Sequence, residues 1–206
     1  MSEYSNNNKA VLTGEVIDSP AFSHEVYGEK FYLFTMRVPR LSEICDTVKI
    51  LASERLPYFK LISSVGDFIS VKGQFRSYNN YTGEGNRLVL TVFAKDIQPA
   101  DYDSIDSANE IILDGFVCRE PVYRVTPFGR EIADVLIAVN RSYNKSDYIP
   151  AIAWGRNARF CRDLEVGSHI KVTGRIQSRE YQKRINENDV IAKTAYEVSI
   201  SIIELV

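Results

Sequence analysis

Aromatic and basic side chains alternate along two stretches in the second half of the chain. In an extended strand over 147–154, Tyr148 and Trp154 would share one face, about 20 Å apart after six steps of roughly 3.3 Å. Rings of this kind stack on bases, while Lys and Arg contact phosphates, and stacking accepts any base. The pattern therefore predicts a surface for single-stranded nucleic acid with weak sequence preference. Its candidate residues are Tyr143, Tyr148, Trp154, Tyr181, Arg141, Arg156, Lys171, Arg175 and Arg179.

Other chemistry has few candidate residues. The two histidines, His24 and His169, lie far apart, and no HExxH, GxSxG or Walker-type glycine loop is present. The three cysteines are odd in number and widely spaced, which is typical neither of a disulfide framework nor of a CxxC metal site. We therefore expect no enzyme activity, no metal and no cofactor, and the cysteines indicate a reducing cytoplasm.

The composition is that of an ordinary soluble globular protein. The 206 residues are 45% hydrophobic, with 25 Lys and Arg against 27 Asp and Glu. This balance argues against a uniformly basic nucleic-acid binder, but it permits a basic groove. No signal peptide or membrane span is indicated, so a membrane partner is not expected.

The chain repeats itself at an offset of 101 residues. The matched pairs include Gly14 with Gly115, Pro20 with Pro121, Arg40 with Arg141, Asp46 with Asp147, Gly73 with Gly174 and Ser77 with Ser178. Beyond Ser77 the best offset is about 106. The acidic, polar stretch 101–110 is typical of a linker. We therefore predict one domain over 1–100 and a second over 111–206.

Each half is predicted to be mostly strand. In the second half, 111–118, 131–139, 147–154, 168–178 and 194–204 have strand patterns. Ala158, Cys161 and Leu164 have helical spacing, as do Leu56, Phe59 and Ile62 in the first half. Three strands, a short helix and two strands predict an all-β fold of two tandem five-stranded oligonucleotide-binding (OB) barrels. A small SH3-type barrel is the alternative, which the helix disfavours.

The second half resembles the bacterial single-stranded DNA-binding protein family. The motifs are Gly115, Pro121, Arg124 to Gly129, Ala138 to Arg141, Trp154 to Gly155 and Gly174 to Tyr181. They cover almost all of 111–206, and the first half joins the resemblance mainly through the internal repeat. The resemblance implies an OB fold that wraps single-stranded DNA, with four such folds acting together. It also implies stacking by the aromatics at positions 143, 148, 154 and 181.

From this resemblance we expect sequence-independent single-stranded DNA binding in replication, recombination or repair. Two chains would supply four folds, so a homodimer is expected, with replication or recombination proteins as further partners. The resemblance also predicts a cytoplasmic protein encoded by a bacterium, a phage or a mobile element.

The sequence departs from the family pattern in three ways. The repeat partners of the four stacking positions are Ser42, Thr47, Ser53 and Asn80, although Lys72, Arg76, Tyr78 and Tyr81 are secondary candidates nearby. Charge is uneven, with 11 basic and 15 acidic residues in 1–110 against 14 and 12 in 111–206. The chain ends at Val206 without the acidic tail common in the family, so tail-mediated recruitment is not expected.

Two other functions remain open at this level. The degenerate first half and the pI near 5.8 favour a protein-interaction OB module of a replication or primosome assembly. A single-stranded RNA binder is the other alternative, because stacking does not distinguish RNA from DNA.

Overall fold

The chain is described from a computed structural model, which covers residues 6–40, 42, 44–62, 65–80, 88–101, 109–184 and 190–206. The first repeat contains β1 (Asn8–Val16), β2 (Ala21–Val26), β3 (Glu29–Pro39), β4 (Cys45–Ser53), a 3-10 helix (Phe59–Leu61), β5 (Phe68–Asn79) and β6 (Leu88–Pro99). The second contains β7 (Asn109–Val125), β8 (Glu131–Arg141), β9 (Lys145–Trp154), α1 (Arg156–Arg162), β10 (His169–Arg184) and β11 (Val190–Leu205). In the described part of the chain, no helix is long and apolar enough to cross a membrane.

Each repeat closes into a barrel through one parallel strand pair. In the first repeat, β1 pairs with β3 and β5, and the circle closes where β4 runs parallel to β6 at Ile50 and Val92. In the second, β7 pairs with β8 and β10, and β9 runs parallel to β11 at Ala151 and Val198. This is the order of the OB barrel. The predicted all-β fold of two tandem OB barrels is therefore confirmed.

Alternating side chains fill each barrel. Barrel strands point successive residues inward and outward, so every second residue is apolar and buried. Leu12, Phe34, Ile50 and Phe75 are among the fully buried residues of the first barrel. Their counterparts in the second barrel, also buried, are Leu113, Val135, Ala151 and Ile176.

Two glycines of the repeat lie where strands cross closely. A Cβ added to Gly14 would collide with the carbonyl oxygen of Arg37, and one added to Gly115 would lie 2.5 Å from the carbonyl oxygen of Ala138. Arg37 and Ala138 are themselves 101 residues apart. Both repeats therefore need glycine at this crossing because no side chain fits there.

The helix predicted in the first repeat is a 3-10 helix of three residues. The N–H of Phe59 donates to the carbonyl of Leu56 at 3.0 Å, and that of Ile62 to the carbonyl of Phe59 at 3.1 Å. A 3-10 helix has three residues per turn, so it places residues 56, 59 and 62 on one face as the sequence pattern requires. The three-residue spacing did not distinguish this conformation from the α-helix found in the second repeat.

The barrels are joined edge to edge by β1 and β7. The two strands run antiparallel, and Ala10 lies opposite Ile111. These residues are 101 positions apart, so each is the repeat partner of the other. The two barrels are therefore related by a pseudo-two-fold axis at this pair, and their strands form one eleven-stranded sheet.

Candidate nucleic-acid interface

A groove of about 560 Å³ passes beside Trp154. We call it the Trp154 groove. Its cations are Arg40, Arg124, Arg175 and Arg179, the first of which belongs to the first repeat. Trp154 ends β9 and is 40% exposed, and Gly155 follows with φ of 53°, where the chain turns into α1. The groove thus combines one exposed indole ring with arginines from both repeats.

The wall below Trp154 is apolar. Ile132 pairs with Trp154 across β8 and β9, and both Ile132 and Ile152 are buried although they lie on the outward parity of their strands. Both line the groove. An apolar wall beside an exposed indole is suited to the flat face of a base.

Carboxylates hold three of the four arginines in place. Arg124 pairs with Asp134 at 2.8 Å. Arg40 donates two hydrogen bonds to the buried Asp46, at 2.6 and 2.7 Å, and Arg175 lies 3.5 Å from the same carboxylate. Burial lowers the pKa of Arg175, and the positive charge of Arg40 lowers it further. Arg40 and Arg175 therefore share one acidic partner, so the groove side of this cluster is positive.

A second cleft of about 350 Å³ lies at the junction of the repeats. We call it the junction cleft. Arg141, Tyr143 and Lys145 line it from the second repeat, and Gln74, Arg76 and Lys95 from the first. Tyr143 is 94% exposed in the turn between β8 and β9, with φ of 63°. Left-handed backbone is unfavourable for a tyrosine, and the next residue, Asn144, is also left-handed with φ of 52°.

A buried carboxylate lies beneath the junction cleft. Asp147 accepts hydrogen bonds at Oδ1 from Arg141 at 3.0 Å and from the N–H of Ser77 at 2.8 Å. Among the described residues, its Oδ2 has no hydrogen-bond partner. Burial raises the pKa of Asp147, against the opposing effect of these contacts. Arg141, a predicted phosphate contact, is thus positioned by Asp147 at the edge of the cleft.

The predicted residues divide between the two sites. The Trp154 groove contains Trp154, Arg175 and Arg179, and the junction cleft contains Arg141, Tyr143 and Arg76. Four others lie outside both sites on exposed surface: Tyr148, Arg156, Lys171 and Tyr181.

Tyr148 is 48% exposed on β9, and its N–H donates to Ser77 Oγ at 2.7 Å. Lys171 lies opposite Asp114 and Glu204 on the neighbouring strands, so acidic residues surround it.

The secondary candidates are also separated. Lys72 is exposed on β5, opposite Asp96 of β6. Tyr78, 49% exposed, lines a third groove with Lys49 and Tyr196. Burial raises the pKa of both tyrosine hydroxyls. Tyr81 lies outside the described residues.

Sequence reasoning missed Arg40 and Lys95 as site residues. Arg40 is the repeat partner of Arg141, so the internal repeat contained the signal for it. Lys95 lies near the bulge between β5 and β6, for which the sequence has no local signal.

Each histidine stacks on a phenylalanine ring. His169 lies 2.6 Å from Asp114 and stacks on Phe116 with ring centroids 4.5 Å apart. His24 stacks on Phe31 at 5.0 Å. Within the described ranges, no group of three or more His, Cys, Asp and Glu could hold a metal ion.

Comparison with known proteins places the resemblance mainly in the second repeat. Residues 108–206 match the model of the Single-strand binding protein family. "Single-stranded DNA-binding protein 2" of Listeria innocua is 32% identical over 97 residues, which are 42% of this chain and 61% of the relative. The "Single-stranded DNA-binding protein" of Halalkalibacterium halodurans is 32% identical over 97 residues, 42% of this chain and 58% of that protein. The chain thus spans about three fifths of the length of these relatives.

Among solved structures, the likeness extends over both repeats. The wild-type single-stranded DNA binding protein of Thermus aquaticus superposes with a TM-score of 0.75, covering 96% of this chain and 92% of that one at 19% identity. At this identity the likeness shows the fold. Residues 108–206 therefore match the Single-strand binding protein family, and the chain as a whole shares the fold of the Thermus aquaticus protein.

Proposed function

We propose that the chain binds single-stranded DNA without sequence preference and without catalysing a reaction, as an accessory of replication, recombination or repair. The family match of residues 108–206 supports this function. The observation that carries it is the Trp154 groove, where an exposed indole and an apolar wall adjoin arginines of both repeats. A base would stack on Trp154 while the arginines contact the flanking phosphates.

We further propose that residues 1–100 and 111–206 are the two domains, with 101–110 as linker. The two barrels are related by a pseudo-two-fold axis, as two subunits of a one-barrel protein would be in a dimer. This relation supports the proposal that one chain corresponds to two such subunits. Two chains would then present four barrels, so we propose a homodimer. The three cysteines are free thiols, which supports a reducing cytoplasm.

Titration of the full chain with oligo-dT tests this proposal. Trp154 is the single tryptophan, so stacking should quench the intrinsic emission as the complex forms. The logarithm of the binding constant should fall linearly with log salt, by about 0.7 per phosphate neutralised. Absence of binding at low salt would overturn the proposal.

Competition between oligo-dT and oligo-U tests the RNA alternative, since a binder selective for RNA must contact the 2′-OH. The protein-interaction alternative predicts a different result. In that case residues 1–100 would retain a replication protein in pull-down, and the full chain would ignore both oligonucleotides.

A further inference from the structure

We infer that the junction cleft is a phosphate site through which a bound single strand passes from the second repeat to the first. This inference rests on the proposed function and assigns the first repeat a direct part in it. The cleft lies between the repeats, because Arg141, Tyr143 and Lys145 line one side and Arg76 and Lys95 the other.

The charges in the cleft are unbalanced. Among the described residues, four cationic side chains line it and the single carboxylate is Asp147, which is buried and binds Arg141 and the Ser77 N–H through Oδ1 alone. Arg76 and Lys95 have no carboxylate at ion-pair distance within the part of the chain that the structure describes. An anion is the ligand that would neutralise this arrangement.

Arg76 is held as a preformed donor. Its guanidinium lies 4.1 Å from the centroid of the Phe93 ring, and one of its amino groups donates to Gln74 at 2.7 Å. Its Nε is buried and has no hydrogen-bond partner among the described residues. Burial and the charge of Arg141 both lower the pKa of Arg76, and burial and the charge of Arg76 lower that of Lys95. A bound phosphate would relieve this repulsion between like charges.

The fold itself does not require these cations. The repeat partner of Arg76 is Gln177 at the offset of 101, and that of Lys95 is Ser201 at the offset of 106. The second repeat therefore builds the same strands with a neutral pair at these positions. On the other side of the pseudo-symmetric junction, Arg175 of the Trp154 groove stands where the first repeat has Gln74, so both sides are positive but through different residues. Arg76 and Lys95 are the cations that the first repeat supplies on the side of the junction cleft.

The neighbouring Tyr143 completes a nucleotide-sized site. Its ring is almost fully exposed at the edge of the cleft, on the side of the second repeat. A base stacked on Tyr143 would place the adjoining phosphate toward Arg76 and Lys95.

The test compares Arg76→Gln/Lys95→Ser with the full wild-type chain, using a long oligo-dT over a series of salt concentrations. These substitutions install the neutral residues of the second repeat. The slope of the logarithm of the binding constant against log salt should become shallower by about 1.4, because two phosphate contacts at about 0.7 each are lost. Lys95→Ser alone changes an exposed position, so it provides a test even if Arg76→Gln disturbs folding. In this variant the slope of the logarithm of the binding constant against log salt should become shallower by about 0.7. Trp154 quenching by DNA should persist in both variants.

The matched control is Lys30→Gln/Lys60→Gln, which removes the same charge from exposed lysines that line neither site. If the salt dependence of binding in Lys95→Ser and in the double variant is no shallower than in this control, the inference is overturned while the proposed function stands. A wild-type chain that does not bind oligo-dT would overturn both.

Discussion

Ser77 and Asp147 are hydrogen bonded across the two repeats, with the Ser77 N–H donating to Oδ1 of Asp147 at 2.8 Å. The same bond recurs with the repeats exchanged, because the Ser178 N–H donates to Asp46 at 2.8 Å. In each case the serine Oγ accepts from the N–H that follows the aspartate, at 2.7 Å from Tyr148 and 2.9 Å from Thr47. These reciprocal contacts hold the barrels as a two-fold pair and place Arg141 and Arg40 beside the two proposed binding sites.

We expect Ser77→Ala to destabilise the chain. The substitution leaves the partly buried N–H of Tyr148 without its acceptor, which should lower the free energy of unfolding by about 1–2 kcal/mol. Urea denaturation followed by circular dichroism measures this change. Ser201→Ala, at an exposed position of β11, is the control and should cost almost nothing. Equal stability of the two variants would contradict the role assigned to Ser77.

The buried Asp147 predicts a specific pH dependence. Its pKa in the folded chain is raised above the ordinary 3.8, so the folded state binds the proton more tightly than the unfolded state. Its stabilising contribution is therefore fully present below 3.8 and is lost as pH rises through the folded pKa.

Urea denaturation of the wild type and Asp147→Asn over a pH series measures this effect. The free energy of unfolding of the wild type minus that of the variant should decrease as pH rises from below 3.8 toward neutrality. Other carboxylates cancel in the difference. A difference that increases with pH would show that the ion pair with Arg141 outweighs the burial of Asp147.

We expect Trp154→Ala to weaken binding to oligo-dT by about 1–3 kcal/mol, the usual contribution of one stacked base. Because the variant lacks tryptophan emission, binding is measured by the fluorescence anisotropy of a labelled oligonucleotide. Adding Tyr148→Ala should weaken binding further. Tyr58→Ala removes a comparably exposed ring outside both sites and should bind as the wild type does. Unchanged affinity of the Trp154/Tyr148 double variant would exclude these residues as stacking platforms.

The cysteines should differ in reactivity. Cys161 lies on the buried face of α1, and burial raises the pKa of its thiol to about 11, whereas Cys45 is exposed. Alkylation of the native chain at about pH 8, followed by mass spectrometry, should label Cys45 first and Cys161 last, because the thiolate is the reactive species. In urea the difference should disappear. Rapid native labelling of Cys161 would contradict its burial in the core.

Much of the fold followed from the sequence because local patterns determine it. The offset of 101 residues predicted two copies of one unit, and strand parity predicted the buried rows that include Ile149 and Ile176. Parity was less informative at Ile152, which lies on the outward face yet is buried in the wall of the Trp154 groove. The outward face of a strand becomes buried wherever another element packs on it, and parity contains no information about that packing.

The sequence by itself determined the two-barrel architecture and the kinds of residue available for stacking and phosphate contact, because alternation and spacing are local properties of the chain. Only the tertiary structure decided which of these residues meet. Docking of the repeats brings Asp46 to Arg175 and Asp147 to Ser77, residues 129 and 70 positions apart. It also places Arg40 beside Trp154, and Arg76 and Lys95 across from Tyr143. Such contacts depend on how two folded surfaces fit together, so no pattern within either repeat could specify them.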